Sequence, residues 1–218
     1  AGNIAYALKL LGGTPLIVAA MGEDGASYRA HLEQCGISLA HIDTRSDHYT
    51  AQAMIMTDTT HNQITAFHPG AMMQAHLSAV PARADIRLGI IAPDGREAML
   101  RHAEQFHAAG IPFVFDPGQG LPMFDGAELA HFVELAGWVT ANDYEGRMLC
   151  ERMDVQFDEL SRRVRGLVVT LGADGCDIWQ AGVRARVAPV RPAQVLDPTG
   201  CGDAWRGALL HGLEQGWS

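Results

Sequence analysis

Four short apolar runs, at about Arg87 to Ile91, Phe113 to Phe115, Trp138 to Thr140 and Leu167 to Leu171, alternate with segments whose apolar residues fall at helical spacing. The intervening helices are expected over about Gly95 to Ala109, Gly126 to Leu135, and Tyr144 to Cys150 followed by Phe157 to Val164. Strand, helix, strand at this spacing demands right-handed crossovers and a parallel sheet, so the chain is read as an α/β protein. Upstream, Ile4, Leu8 and Leu11 mark a helix that Gly12-Gly13 ends, Leu16 to Ala20 reads as a strand, and Ala26 to Gln34 as a second helix. Downstream, Cys176 to Gln180 and Val183 to Ala188 form a hairpin around Ala181-Gly182.

One stretch breaks the rhythm. From Ile37 to Phe67 the short runs at Ile42, Ala51 to Met56 and Ile64 to Phe67 are separated by polar turns, and no helix of useful length fits. This is a small β-excursion, residues 37–68, from a main body formed by 1–36 and 69–218. With 218 residues, 48% of them hydrophobic, that body has ample core for one domain.

Charge and motif content narrow the chemistry. A net charge of −9 offers no basic field for nucleic acid. Lys9 is the only lysine, so the lysine-bearing P-loop is absent. Cys35, Cys150, Cys176 and Cys201 are scattered, which suits reduced thiols in a cytoplasmic protein rather than a disulfide framework or a zinc site. The histidines have no metal-ligand spacing and read as surface groups, and no Gly-x-Ser-x-Gly elbow supports acyl transfer. No segment has the length of a membrane span. The chain starts mid-helix without Met and stops just after a helix, so both ends look cut.

The polar residues gather where strands end. Asp94, Asp116, Asn142 and Gly172 each follow one of the four runs, on the edge where open α/β sheets bind ligands. Asn142-Asp143-Tyr144-Glu145 starts a helix with a capping-box spacing; it either caps that helix or holds water around a magnesium–phosphate group. Thr170-Leu171-Gly172-Ala173-Asp174-Gly175 ends a strand in a glycine turn that suits a loop against a nucleotide, and equally an ordinary hairpin. Asp197-Pro198-Thr199-Gly200-Cys201-Gly202-Asp203 runs into a helical segment from Trp205 to Leu213. First-turn amides have no partner inside a helix and carry the positive end of its dipole, so this is a candidate anion site with a carboxylate, Asp203, in its rim. The competing reading is that Thr199 or Asp203 only caps the helix.

Taken in order, these motifs resemble those of the PfkB (ribokinase-like) carbohydrate and nucleoside kinases. Asp197 to Asp203 is similar to the family's Asp-Thr-x-Gly-Ala-Gly-Asp signature, with Cys201 in place of Ala. Ala1-Gly2-Asn3, Leu11-Gly12-Gly13 and Met21-Gly22-Glu23-Asp24-Gly25 are similar to the end of its first signature. Asn142 to Glu145 matches Asn-x-x-Glu, and Thr170 to Gly175 matches Thr-Leu-Gly-x-x-Gly. Asn62 to Met72 and the Thr-Gly-Cys-Gly-Asp variant resemble the bacterial adenosine-kinase-like branch.

The resemblance implies a three-layer α/β/α sandwich with a mainly parallel central sheet, over which the 37–68 excursion forms a β-lid that often supplies a homodimer contact. It implies Asp203 as the base for a primary hydroxyl, and the amides of Gly200, Cys201 and Gly202 as the anion hole for the transferred phosphoryl group. Asn3 would bind the sugar hydroxyls, with Gln63 and Phe67 as base contacts from the lid, or Phe67 as part of the lid core. Asn142, Thr170, Gly172 and Gly175 would line ATP, and Glu145 would organise Mg²⁺, mainly through water. A monovalent-cation requirement stays open. Adenosine is the first expected acceptor and ribose or another furanose the second; a non-catalytic nucleoside-binding protein is the competing class. The family's first strand and its C-terminal helices have no counterpart in these residues.

Overall fold

A computed structural model describes the chain except residues 60–62, 196, 198 and 218 and the side chain of Gln63. Two compact units emerge, one made of Ala1–Ala79 and Gly202–Ser218 and the other of Val80–Cys201.

The first unit begins with α1 (Gly2–Leu10), β1 (Ala19–Gly22), α2 (Ala26–Gln34) and β2 (Ile42–Arg45). Strands β1 and β2 pair in parallel, Ala19 opposite Ile42 and Gly22 opposite Arg45. The strand expected over Leu16 to Ala20 starts later, because Leu16 makes only an isolated bridge to Ser38 while Ile17 enters the core. That core joins Ala5, Ile17, Met21, Leu32, Ile37 and Ile42. Strands β3 (Gln52–Thr57) and β4 (Gln63–His68) then form a separate antiparallel ribbon, Gln52 opposite His68 and Thr57 opposite Gln63. A 3-10 helix, Gly70–Leu77, follows.

The second unit contains β5 (Gly89–Ile91), α3 (Arg96–Ala108), β6 (Phe113–Phe115), α4 (Gly126–Leu135), β7 (Trp138–Asn142), α5 (Asp143–Met153), α6 (Phe157–Arg163), β8 (Gly166–Thr170), β9 (Cys176–Gln180) and β10 (Val183–Val187). One six-stranded sheet runs β10-β9-β8-β7-β6-β5. The strands from β5 to β8 are mutually parallel, and β9 and β10 close the edge as the expected antiparallel hairpin. Strand β6 is fully buried and β8 nearly so, as strands covered on both faces must be, which accounts for their unbroken apolar runs. Phe113, Phe115, Phe132, Leu129, Leu149, Leu160 and Leu167 form the centre of this core, with the rings of Phe115 and Phe132 stacked at 4.4 Å.

Histidine placement corrects one expectation. His102 is buried at 6% exposure rather than on the surface. It occupies the apolar stripe of α3 with Ala98, Met99, Ala103 and Phe106.

The last element, α7 (Cys201–Glu214), opens where the two units divide, between Cys201 and Gly202. Among the described residues no helix is long and apolar enough to cross a membrane.

Candidate active site

The two residues expected to meet the acceptor, Asn3 and Asp203, stand on two helices of the first unit. Helix α7 carries Asp203 in its first turn, and Asn3 stands in the first turn of α1. The Asn3 Nδ2 donates to Asp203 Oδ2 at 2.9 Å, joining residues 200 positions apart. Gly207 permits this contact. A Cβ there would lie 2.7 Å from Ala7 Cβ, 3.0 Å from Leu8 N and 3.1 Å from Ile4 O, so α1 and α7 meet nearly backbone to backbone one turn below the pair. One carboxylate oxygen of Asp203 is thereby oriented, and the other is left outside that bond.

Helix α7 begins at Cys201, four residues before the helical segment expected from Trp205. Thr199 N–H donates to Asp197 Oδ1 at 2.8 Å, and Gly200 turns the chain at φ +81°, a conformation side chains disfavour. Cys201 and Gly202 then enter the helix with exposed residues, their amides among those without an intrahelical acceptor. Sequence reasoning missed Arg206. Its Nη1 would lie 2.9 Å from a Cβ on Gly202, which lays the guanidinium along the first turn. The available signal was its spacing, four residues after Gly202.

The motifs expected to line the nucleotide lie together on the sheet edge of the second unit. Asn142 ends β7 and Thr170 ends β8, and the two are direct register partners. Asn142 Oδ1 accepts from Glu145 N at 2.7 Å, while Glu145 Oε2 accepts from Asn142 N at 2.8 Å, so the capping box is real. It uses one oxygen of each side chain. Beyond Thr170, Leu171 N–H donates to Gly175 O at 2.8 Å, closing the turn. Gly175 sits at φ +88°, and a Cβ there would strike Val187 O. Gly172, by contrast, has open space around its Cα.

A direct metal cage is absent: among the described residues no three His, Cys, Asp or Glu side chains could hold an ion together. Glu145 has one carboxylate oxygen outside the box, which would suit a water of an ion carried mainly by phosphates.

Phe67 stands exposed on β4, opposite Ala53. Asn62 and the side chain of Gln63, from the same expected base-contacting stretch, lie outside the described residues.

Of the other edge carboxylates, Asp116 is buried after β6, and Asp94 follows β5 partly buried. Desolvation pushes the Asp94 carboxyl up to about 6, against the smaller pull of the Gly95 amide, which donates to its Oδ1 at 2.7 Å. Because the folded pKa is raised, the stabilisation belongs to the protonated form; it is complete below pH 3.8 and lost as pH rises through about 6. Asp94→Asn should therefore be more stable than the unmodified chain at pH 8, by about 1–3 kcal/mol, with little difference at pH 4. Urea unfolding of both proteins at the two pH values checks this; an equal gap at both would refute it.

The model of the pfkB family carbohydrate kinases matches residues 1–218. The chain is similar to the nucleoside kinase of Burkholderia thailandensis solved in complex with inosine, at 47% identity and a TM-score of 0.95 over 99% of this chain and 71% of that one. The same enzyme in complex with ADP-inosine aligns at 47% identity and a TM-score of 0.93, over 98% of this chain and 67% of that one. A nucleoside kinase of Methanothermobacter thermautotrophicus is 31% identical over 99% of this chain and 71% of its own length.

Proposed function

We propose that this chain, which belongs to the pfkB family of carbohydrate kinases, transfers the γ-phosphoryl group of ATP to the primary hydroxyl of a purine nucleoside. Its fold is the ribokinase-like α/β architecture, and it is a phosphotransferase. The observation that carries the acceptor assignment is the Asn3–Asp203 hydrogen bond at the start of α7. A carboxylate oriented by an amide, beside unpartnered helix amides, suits removal of a hydroxyl proton next to an incoming phosphoryl group.

In this reading Asp203 takes the proton of the primary hydroxyl as its oxygen bonds to the γ-phosphorus. The bond from that phosphorus to the bridging oxygen breaks, and ADP leaves with the electron pair. Such a transfer needs alignment and charge stabilisation more than covalent help. The amides of Gly200, Cys201 and Gly202 would receive the charge on the phosphoryl oxygens, aided by the Arg206 guanidinium on the same turn. Asn142, Thr170, Gly172 and Gly175 would line ATP. Mg²⁺ bound to the phosphates would supply charge neutralisation, with Glu145 holding its water. Asn3 would also meet the sugar hydroxyls, and the β3–β4 ribbon would cover the acceptor with Phe67 toward the base.

The nucleoside kinases at 47% and 31% identity favour a nucleoside over a free sugar as acceptor. An ATP-coupled assay comparing adenosine, inosine, ribose and fructose tests the assignment. Turnover of nucleosides supports it, whereas turnover confined to ribose or fructose would replace it. Calorimetric binding of adenosine without ADP production would point to a non-catalytic binder.

The anion-hole reading makes Cys201 a vulnerable residue. Its thiol is exposed, while Cys150 and Cys176 are buried, and burial pushes the Cys150 thiol up to about 11 and the Cys176 thiol upward as well. Alkylation should crowd the phosphoryl position and abolish most turnover, and Cys201→Ala should keep activity and resist the reagent. Full activity after modification of Cys201 verified by mass spectrometry would sink the idea.

A further inference from the structure

The β3–β4 ribbon has little of its own to hold it. Every residue of β3 is exposed, and so are Ile64 to His68 of β4, among them the apolar Met54, Ile55, Met56, Ile64 and Phe67. A free two-stranded ribbon is marginal in water, so its direction must be set where it leaves the body. Both legs leave at one place. Glu23 N–H donates to His48 O at 3.0 Å, and Ala71 N–H donates to Tyr49 O at 2.8 Å. A Cβ on Gly22 would strike the backbone of Tyr49 and Thr50, and one on Gly70 would strike Tyr49 O.

At the centre of this junction stands one carboxylate. Asp24 Oδ1 accepts from Thr50 N at 2.7 Å and from Thr50 Oγ1 at 2.7 Å, and Oδ2 accepts from Gln52 Nε2 at 3.1 Å. The Thr50 hydroxyl in turn accepts from Gly22 N at 3.0 Å. The chain of bonds runs from the end of β1, through the Thr50 hydroxyl, into Asp24, and on to the first residue of β3. Asp24 is itself exposed, and the Thr50 amide, followed by the Thr50 hydroxyl, holds its carboxyl below the usual range, so the anion is kept in place.

We infer that Asp24 is a positioning residue of the kinase reaction: through Thr50 and Gln52 it pins the base of the ribbon and sets the direction in which it covers the acceptor. This rests on the reading of the ribbon as a cover. Leverage makes the pin effective. Six residues of strand reach about 17 Å, so a tilt of about 10° at the base moves the far end by about 3 Å, enough to open or close a nucleoside-sized gap. Neither Asp24 nor Thr50 has to touch the substrate for this to matter.

The test separates positioning from folding. Steady-state kinetics on the full protein would compare Asp24→Ala, Thr50→Val, Thr50→Ser and a form with Ala53 to Phe67 replaced by a short Gly-Ser turn. If unpinning lowers the closed population to about one tenth, the apparent nucleoside KM rises about tenfold. The expected pattern is that rise in Asp24→Ala and Thr50→Val, with the ATP KM unmoved. ATP hydrolysis without acceptor should increase as water enters, and Thr50→Ser should behave like the parent. The melting temperature should stay within about 2 °C in Asp24→Ala, whose carboxyl is exposed, and fall further in Thr50→Val, which leaves the buried Gly22 N–H without its hydroxyl acceptor. An unchanged nucleoside KM in both Asp24→Ala and Thr50→Val, beside a raised one in the truncated form, overturns the pin and leaves the cover standing. An unchanged nucleoside KM in the truncated form overturns the cover itself. A common rise in both KM values with a falling melting temperature reduces Asp24 to a structural residue and also overturns the proposal.

Discussion

Asp203→Asn should lower kcat by about a thousandfold, within the 10²–10⁴ range typical of a removed general base, while both KM values move little. The asparagine keeps the shape of the side chain and an oxygen to accept from Asn3 Nδ2, so the link between α1 and α7 survives and folding is retained. What disappears is the ability to take a proton from the hydroxyl as the new P–O bond forms. The residual rate measures what the helix amides contribute without a base. One such donor is typically worth about 2.7–4 kcal/mol in other enzymes, so a measurable remainder is expected. Stopped-flow or coupled assays under saturating ATP and nucleoside check this, together with the melting temperature. A variant that turns over at the parent rate would remove Asp203 from the chemistry altogether. Asn3→Ala belongs beside it, because it frees the same carboxylate oxygen while leaving the base, and a smaller loss in kcat with a larger rise in nucleoside KM is its signature.

The second large effect is one of packing. Gly207→Val should destabilise the protein by about 2–3 kcal/mol, in the range for overfilled contacts, which lowers the melting temperature by roughly 4–12 °C for a chain of this size. Even an added Cβ meets Ala7 Cβ at 2.7 Å and the backbone of Leu8 at 3.0 Å, and the latter cannot rotate away. The helices must part, and parting them draws Asn3 from Asp203. Stability and kcat should therefore fall together, with Gly207→Ala showing the same pair of losses at smaller size. Differential scanning calorimetry with parallel kinetics checks this. A Val variant that melts with the parent and keeps its kcat would show that the helix contact does not support the site.

Much of the site could be read from residues in a row. The Asn142–Glu145 box, the glycine turn after Thr170 and the bend before Cys201 depend on local chemistry, so their sequence spacing carried the geometry. The alternation from Arg87 onward likewise showed the strands β5 to β8 and their parallel pairing, because parallel strands there are buried on both faces. Other parts depend on partners far along the chain. Nothing near Asp24 announces Thr50 and Gln52, since those hydrogen bonds exist only once β3 returns past β1. His102 was misplaced because a polar residue was weighed by type; its offsets from Met99 and Phe106 already put it in the stripe of α3. The 3-10 helices Gly70–Leu77 and Gly118–Met123 left no trace, having neither the 3.6-residue nor the two-residue period.

The division of the chain has a consequence for biosynthesis. The second unit, Val80–Cys201, is one uninterrupted stretch, whereas the first is completed only by Gly202–Ser218. On a translating ribosome the six-stranded sheet can close while α1 still waits for α7. The Asn3–Asp203 contact joins residues 200 positions apart, and such long-range closures are slow. A nascent chain halted before Asp203 can thus hold a finished Asn142 and Thr170 edge while Asn3 still lacks the partner that α7 brings to it.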